Sequence, residues 1–285
     1  MQKNINHQWD MIITSHRGWF EFHLREIWQY RDLLKIYIQR NIITEYKQTI
    51  LGPFWIIIPP VLTTLVFTVI FGNIANISTD GLPKPLFYMA GIITWNYFST
   101  VLTSTSNSLA GNAGIFGKVY FPRIMIPLAT LISSLVRYFI QLILFIGFMG
   151  YFFINNPKSI EIQFQLLWLL PVFIIIMGLQ GLGFGLLFSS LTAKYRDIRF
   201  LIGFGVRLLM YASTVIFPLS MVPEKYKWII LANPMSAVIE SFRYIFLGVG
   251  QISSNAILYS TSFTGALLVL GLLIFNQTEK DFIDN

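Results

Sequence analysis

The chain has no cysteine, which excludes disulfides and thiolate metal sites. Histidine is nearly as scarce. His7, His16 and His23 all precede the first long apolar run, so no imidazole is available beyond them to ligate a metal or shuttle a proton. Charged residues make up only 12% of the sequence, about half of what a soluble domain uses to solvate its surface. Acidic residues are fewer than basic ones, 13 against 20, and none lies inside a long apolar run. Two function classes lose their machinery with them. Transporters driven by protons or sodium ions place ionisable groups at membrane depth. A membrane-embedded hydrolase or transferase needs an acid, a base or a metal. A nucleotide-binding loop is missing too. The nearest segment to G-x-x-x-x-G-K-[ST] ends at Val119, with Asn112 where the first glycine belongs and Val119 in place of the hydroxyl that holds magnesium. The first 50 residues contain no apolar run of signal-peptide quality.

What is present is apolar bulk. Hydrophobic residues account for 55% of the 285 positions and aromatics for 16%. A helix needs about 20 largely apolar residues to cross a bilayer. Six stretches qualify: 54–71, 86–107, 124–154, 164–191, 200–219 and 257–275. They predict an all-α integral membrane protein of six transmembrane helices. A cytoplasmic N-terminal arm (1–53) precedes a membrane domain (54–285). Counting Lys and Arg with the N-terminus inside places thirteen of the 20 in cytoplasmic segments and five outside. Both termini are therefore expected in the cytoplasm. The net charge of +7 reads as contact with anionic lipid and as orientation of the chain, not as a nucleic-acid surface.

In the arm, 25–49 has the pattern of an interface helix with Leu34, Ile38 and Ile42 on one face, while Ile36 and Ile43 point elsewhere. Gly52-Pro53 ends it. The segment 223–250 is apolar but broken at Asn233-Pro234, an N-cap followed by proline at the first helical position. It predicts two short helices forming a re-entrant hairpin on the outer side, in which Glu240 and Arg243, three apart, neutralise each other. An external loop with one amphipathic helix is the plainer alternative.

Within the spans, the second is unusually hydroxylated, with Asn96, Ser99, Thr100, Thr103, Ser104 and Thr105. Such a helix faces protein or water along one side. Tyr88, Trp95 and Phe98 recur there at roughly helical spacing, either as core or as a platform on which sugar rings stack. Arg207, about a dozen ångströms from the cytoplasmic end of its span, can snorkel. Arg137 is deeper and points to a polar lumen whose natural partner is an anionic, lipid-linked substrate. The glycines Gly181, Gly183 and Gly185 read as close helix packing, not as a nucleotide loop.

With these residues in view, the run Asn112-Ala-Gly-Ile-Phe-Gly-Lys118-Val-Tyr-Phe121-Pro122-Arg123, followed by Pro127, resembles the first cytoplasmic loop of the ABC-2 type permeases that export polysaccharides. Arg40, Tyr46-Lys47-Gln48-Thr49, Leu51-Gly52 and Trp55 resemble the start of that family's first span. Tyr88, Gly91, Trp95 and Phe98 match its second span, Tyr195-Arg196-Asp197 its second cytoplasmic loop, and Asn233-Pro234-Met235 with Arg243 its external re-entrant segment. The likeness runs from about Arg25 to near the end. Asn41, Glu45 and Ile124 depart from it, standing where the family often has Asp, Arg and Glu.

The resemblance implies a transport subunit with no catalytic residue, metal or cofactor of its own. It implies pairing with a second copy and with two copies of an ABC ATPase that binds ATP and Mg. The cargo would be a lipid-linked polysaccharide, O-antigen first, crossing the bacterial inner membrane. Teichoic acid, capsule or a smaller lipid or drug are alternatives. Tyr88, Trp95, Phe98, Arg137 and Arg207 would line the substrate channel. Arg40, Tyr46, Lys47, Lys118, Phe121, Pro122, Arg123, Tyr195, Arg196 and Asp197 would couple to the ATPase. Asn233, Pro234, Glu240 and Arg243 would form the external gate. A membrane-embedded enzyme of glycan assembly would need acidic or metal-binding groups at membrane depth, and a scaffold leaves the polar second span without a reason.

Overall fold

The computed structural model of this chain describes residues 24–47, 49–116, 121–155, 157 and 160–281, apart from the side chains of 24–25, 45–46 and 279–281. It is helical, and no strand occurs among the described residues. The three histidines and Lys118 lie outside them, as does the side chain of Tyr46.

Among the described residues, four helical stretches are long and apolar enough to cross a membrane: Gly52–Ile74, Met125–Asn155, Phe164–Lys194 and Ser254–Thr278. The arm forms two helices, α1 (Leu24–Gln29) and α2 (Arg31–Tyr46), where the sequence predicts one. Gly52, at φ +50°, and Pro53 turn the chain into a 3-10 turn (Gly52–Ile56), then α3 (Ile58–Phe67), which continues as a π-wound turn to Ile74.

Helix α4 (Lys84–Ser106) is the axis of the fold. Most of its side chains are buried, and it packs against α3, against α7 (Met125–Asn155) and against α8 (Leu170–Lys194). Short helices α5 (Ser108–Gly111) and α6 (Ala113–Phe116) follow it. The α8 glycines make the close packing: a Cβ on Gly181 would sit 2.7 Å from the Phe98 carbonyl oxygen, and one on Gly183 would sit 2.9 Å from Leu267 on α12 (Ser254–Asp281). Small residues bring backbones together where lipid offers no hydrophobic drive for helix pairing. Gln180 adds a buried hydrogen bond from its Nε2 to Ser260 Oγ, 2.8 Å, between α8 and α12.

The fifth predicted span is shorter than its apolar run. Helix α9 (Ile198–Tyr211) stops eight residues before position 219. Its 14 residues reach about 21 Å against a hydrocarbon core of about 30 Å. The chain then runs irregularly, and buried, through Ser213–Ile216 to a turn at Leu219–Met221. The broken segment that follows forms α10 (Glu224–Ala232) and α11 (Pro234–Leu247), split at Asn233 as the sequence predicts. The Asn233 side chain accepts from the Met235 N–H at 3.1 Å, and Gly248, at φ +74°, supplies the left-handed residue that ends α11.

Two ends result. At one, the 3-10 turn after α9 is joined to the α3–α4 loop by Ser220 Oγ donating to the Asp80 carboxylate at 2.8 Å, and Gln163 N–H donates to Ile245 O at 2.9 Å. At the other lie the arm and the α4–α7 and α8–α9 connections. The Ser108 and Ser189 hydroxyls meet there at 3.1 Å, and Thr192 Oγ1 donates to Ser106 O.

Candidate functional site

The side of α4 that remains partly open is polar along its lower length. Asn96, Ser99, Thr100, Thr103, Ser104 and Asn107 follow one another at helical spacing, while the apolar side chains between them are buried. The hydroxyls are largely held by their own helix, as in Thr103 Oγ1 to Ser99 O at 2.7 Å. At the Asn96–Thr100 level a cavity of about 400 Å³ opens between the start of α3, α4 and α7. Ser134, Arg137, Tyr138 and Gln141 of α7 line it, at i, i+3, i+4 and i+7 on a single face. Its remaining wall is Trp55, Ile56, Pro59 and Pro60, with Gln141 Nε2 donating to Ile56 O at 3.2 Å. None of the lining residues among those described is acidic.

Arg137, which the sequence reading gives to the substrate channel, lines this recess. Its companions Ser134, Tyr138 and Gln141 are missing from that reading, although their spacing on α7 was legible. Arg207 does not join them: it is exposed on α9, and Phe204 and Leu208 near it are exposed as well. Tyr88, Trp95 and Phe98 lie in the core. Phe98 packs edge-on against Trp95 at 5.2 Å and against Phe184 at 6.3 Å, and Tyr88 does so against Phe67 at 6.1 Å. Other rings occupy the faces that the stacking reading offers to sugars. The polar face of α4 is partly open and the aromatic one is closed.

At the arm end, a second apolar cluster forms apart from the main core. Tyr37 of α2 meets Phe121 with ring centroids 5.7 Å apart, beside Met125, Ile126 and Ala129 of α7. Leu34 and Ile38 join it, while Ile36 and Ile43 are exposed. Burial pushes the Tyr37 phenol above its usual pKa. The Arg40 guanidinium lies 4.4 Å over the Tyr37 ring, and that of Arg123, itself buried, lies 5.1 Å over Phe116. Phe121, Pro122 and Arg123 are thus buried under the arm, and Lys47 is exposed. Tyr195, Arg196 and Asp197 form an exposed turn before α9. The structure joins the first connection to the arm; the second shares its end of the molecule through the Ser108–Ser189 contact.

At the hairpin end, Arg243 is 1% exposed. Its Nη1 donates to Thr214 O and its Nη2 to Val215 O at 2.9 Å, the carbonyls released where α9 has unwound. Glu240 Oε1 lies 3.4 Å away, and the guanidinium sits 3.6 Å over the Phe87 ring. Asn233 Nδ2 reaches Leu209 O at 3.2 Å. Carbonyls at the end of α9 and in the irregular stretch after it are thus caught by Asn233, which caps α11, and by Arg243 on α11. Gly91 of α4 leaves the space, since a Cβ there would stand 2.8 Å from Arg243 Nη2 and 3.1 Å from Val215 Cα.

The described lining of the cavity presents a guanidinium, hydroxyls and amides. The ABC-2 type transporter family matches residues 32–247. The O-antigen export system permease protein RfbA of Klebsiella pneumoniae is 28% identical over 254 residues, covering 89% of this chain and 94% of that protein. The polysialic acid transport protein KpsM of Escherichia coli is 27% identical over 250 residues, covering 85% and 91%. The inner membrane transport permease YadH of Escherichia coli is 25% identical over 205 residues, covering 69% and 77%. With the match spanning the arm helix, the polar groove and the Arg243 node alike, this chain belongs to the ABC-2 type transporter family.

Proposed function

We propose that this chain is the membrane permease subunit of an ATP-driven exporter that moves a lipid-linked surface polysaccharide, O-antigen foremost, across the bacterial inner membrane. The observation that carries the reading is the polar groove on α4 and α7 inside an apolar helix bundle, in a chain related over most of its length to O-antigen and polysialic acid permeases. In this reading the chain crosses the membrane six times, through α3, α4, α7, α8, α9 with the irregular stretch after it, and α12. The α10–α11 hairpin dips back from the outer side, with α11 covered by protein and α10 on the surface. Both termini are cytoplasmic. Two copies pair, and the α4–α7 groove of each faces the path between them. The arm (1–53) acts with Arg40, Tyr46, Lys47, Lys118, Phe121, Pro122 and Arg123, and with the exposed turn Tyr195–Arg196–Asp197. Together they receive the motion of two ATPase subunits, which bind ATP and Mg. Asn233, Pro234, Glu240 and Arg243 hold the outer gate. Tyr88, Trp95 and Phe98 support the groove from behind, and Arg207 lies nearer the membrane face.

Deleting the gene should remove the polysaccharide from the cell surface and leave its lipid-linked form inside, and the intact gene should restore export. Unchanged surface glycan in the deletion strain would reject the reading. A permease for a smaller lipid or drug is the second reading, supported by the similarity to YadH; export of the glycan separates the two.

A further inference from the structure

We infer that 212–217 is an unwound turn and a half of α9, held open by side chains of the hairpin and poised to rewind, so that α9 changes length at the hairpin end of the molecule. That this movement works the outer gate rests on the permease reading; the movement itself does not.

The local sequence gives α9 no reason to stop at Tyr211. Between it and Pro218 stand Ala212, Ser213, Thr214, Val215, Ile216 and Phe217, without a glycine or a proline. β-Branched residues weaken a helix but do not break one. Helices usually end at or before the residue preceding a proline, here Phe217. Six further residues would carry α9 from about 21 Å to about 30 Å, the thickness of a hydrocarbon core.

The stretch is instead buried and poorly served by its own backbone. Ser213, Thr214 and Val215 are sealed from solvent, and Ile216 is nearly so. The Val215 N–H reaches only the Ser213 hydroxyl, at 3.4 Å, and the N–H groups of Thr214 and Ile216 make no hydrogen bond among the described residues. Buried N–H groups without a partner are rare and costly. In a rewound helix the Thr214 N–H would meet Met210 O and the Ile216 N–H would meet Ala212 O, by the i to i−4 pattern.

The bonds that stand in for these come from the hairpin. Asn233 Nδ2 donates to Leu209 O at 3.2 Å and to Ala212 O at 3.5 Å, the carbonyls that Ser213 and Ile216 would use in a helix. Arg243 holds Thr214 O and Val215 O, and Thr214 Oγ1 donates to Ser236 O at 3.3 Å. The unwound form is thus held by α11 and its cap, and a wound form would be held by α9 itself. Two alternative partners for one set of carbonyls are what a two-state element requires. Phe217, at the end of the stretch, lines an open apolar cleft of about 470 Å³ with Ile77, Tyr226 and Ile230, which leaves space beside its ring.

The test is a distance within the full chain in lipid nanodiscs, without nucleotide or glycan. The sequence has no cysteine, so Leu208→Cys and Met221→Cys, both half-exposed, add the only two thiols for nitroxide labels. Labelled chain is diluted into unlabelled chain, so that pulsed electron paramagnetic resonance reads pairs within one copy. Thr214→Ala/Asn233→Ser removes the holds on Ser236 O and Leu209 O and keeps a capping side chain at 233. It is expected to raise a second distance population several-fold over the parent, displaced by up to about 9 Å for six residues at about 1.5 Å each. Thr214→Pro/Asn233→Ser should abolish that population. The proline costs no hydrogen bond in the unwound form, since the N–H it removes makes none, yet it bars the helix. Size-exclusion profiles check folding. Where Thr214→Pro/Asn233→Ser aggregates, Ile216→Pro/Asn233→Ser replaces it by the same logic, and where Thr214→Ala/Asn233→Ser does, Asn233→Ser alone is read. A distribution unchanged from the parent in the releasing variant overturns the inference, and so does a second population that survives the proline. A cell that exports its glycan without this chain rejects the permease reading and the gate, and leaves the measured rewinding as it stands.

Discussion

Arg243 is tightly constrained on every side. It serves two backbone carbonyls, a carboxylate and a ring face at once, inside a region sealed from solvent. Replacing it with Met leaves Glu240 as a buried charge without its cation and orphans Thr214 O and Val215 O. The expected loss is about 3–5 kcal/mol, read by denaturant or thermal unfolding in a fixed lipid or detergent. The double change Arg243→Met/Glu240→Gln should be milder than Arg243→Met alone, because the uncompensated charge is gone; equal or greater damage would show that the carbonyl contacts dominate. Gly91→Ala probes the same node from α4. With 2.8 Å to Arg243 Nη2 and 3.1 Å to Val215 Cα, a methyl group there should cost about 1–3 kcal/mol, whereas Gly147→Ala, with no neighbour within 4 Å, should be tolerated.

Among the elements, the arm is the one whose packing is local and separable. The Tyr37–Phe121 contact and the cluster around it are distinct from the main core. Phe121→Ala should therefore release α2 without unfolding the bundle. Hydrogen exchange should rise across 31–46 and stay unchanged in α4 and α8; a rise in α8 would show that the two clusters are one cooperative unit. Asn233→Ala should cost about 1 kcal/mol through the lost α11 cap, with more if its bond to Leu209 O also matters. These elements also mark what the sequence made legible. The break at Asn233-Pro234 and the glycine approach of α8 are local signals, and they appear where spacing placed them. The early end of α9 is not local. Its apolar run continues to Leu219, and the side chains that take up the carbonyls at and beyond its end, Asn233 and Arg243, lie roughly twenty and thirty residues later. The inward turn of Tyr88, Trp95 and Phe98 is likewise a tertiary choice, since helical spacing alone cannot say whether a stripe faces core or cavity. The Ser134–Arg137–Tyr138–Gln141 face is the opposite case, open to view as an i, i+3, i+4, i+7 row once Arg137 is read with its neighbours.

At the scale of the whole molecule, the charge distribution and the packing agree on a division of labour. One end joins the arm to the α4–α7 connection and pins the ends of α4 and α8 with serine and threonine hydroxyls. The other end locks a helical hairpin onto an unwound helix. The polar cavity lies on the bundle between them. In the proposed reading these three parts are the receiver, the path and the gate of an exporter. Arg137→Gln should therefore lower surface polysaccharide while the protein still accumulates and retains its partner, measured by surface glycan staining beside a pull-down; normal export would remove Arg137 from the path. The central claim is that the energy comes from another chain. Its most direct test is to purify this protein together with a candidate ABC ATPase from the same cell, reconstitute both in lipid, and measure ATP hydrolysis with and without lipid-linked glycan. The account predicts a stable complex whose hydrolysis rises when the glycan is added. A chain that binds no ATPase, or a complex indifferent to every lipid-linked glycan of its own cell, would contradict it.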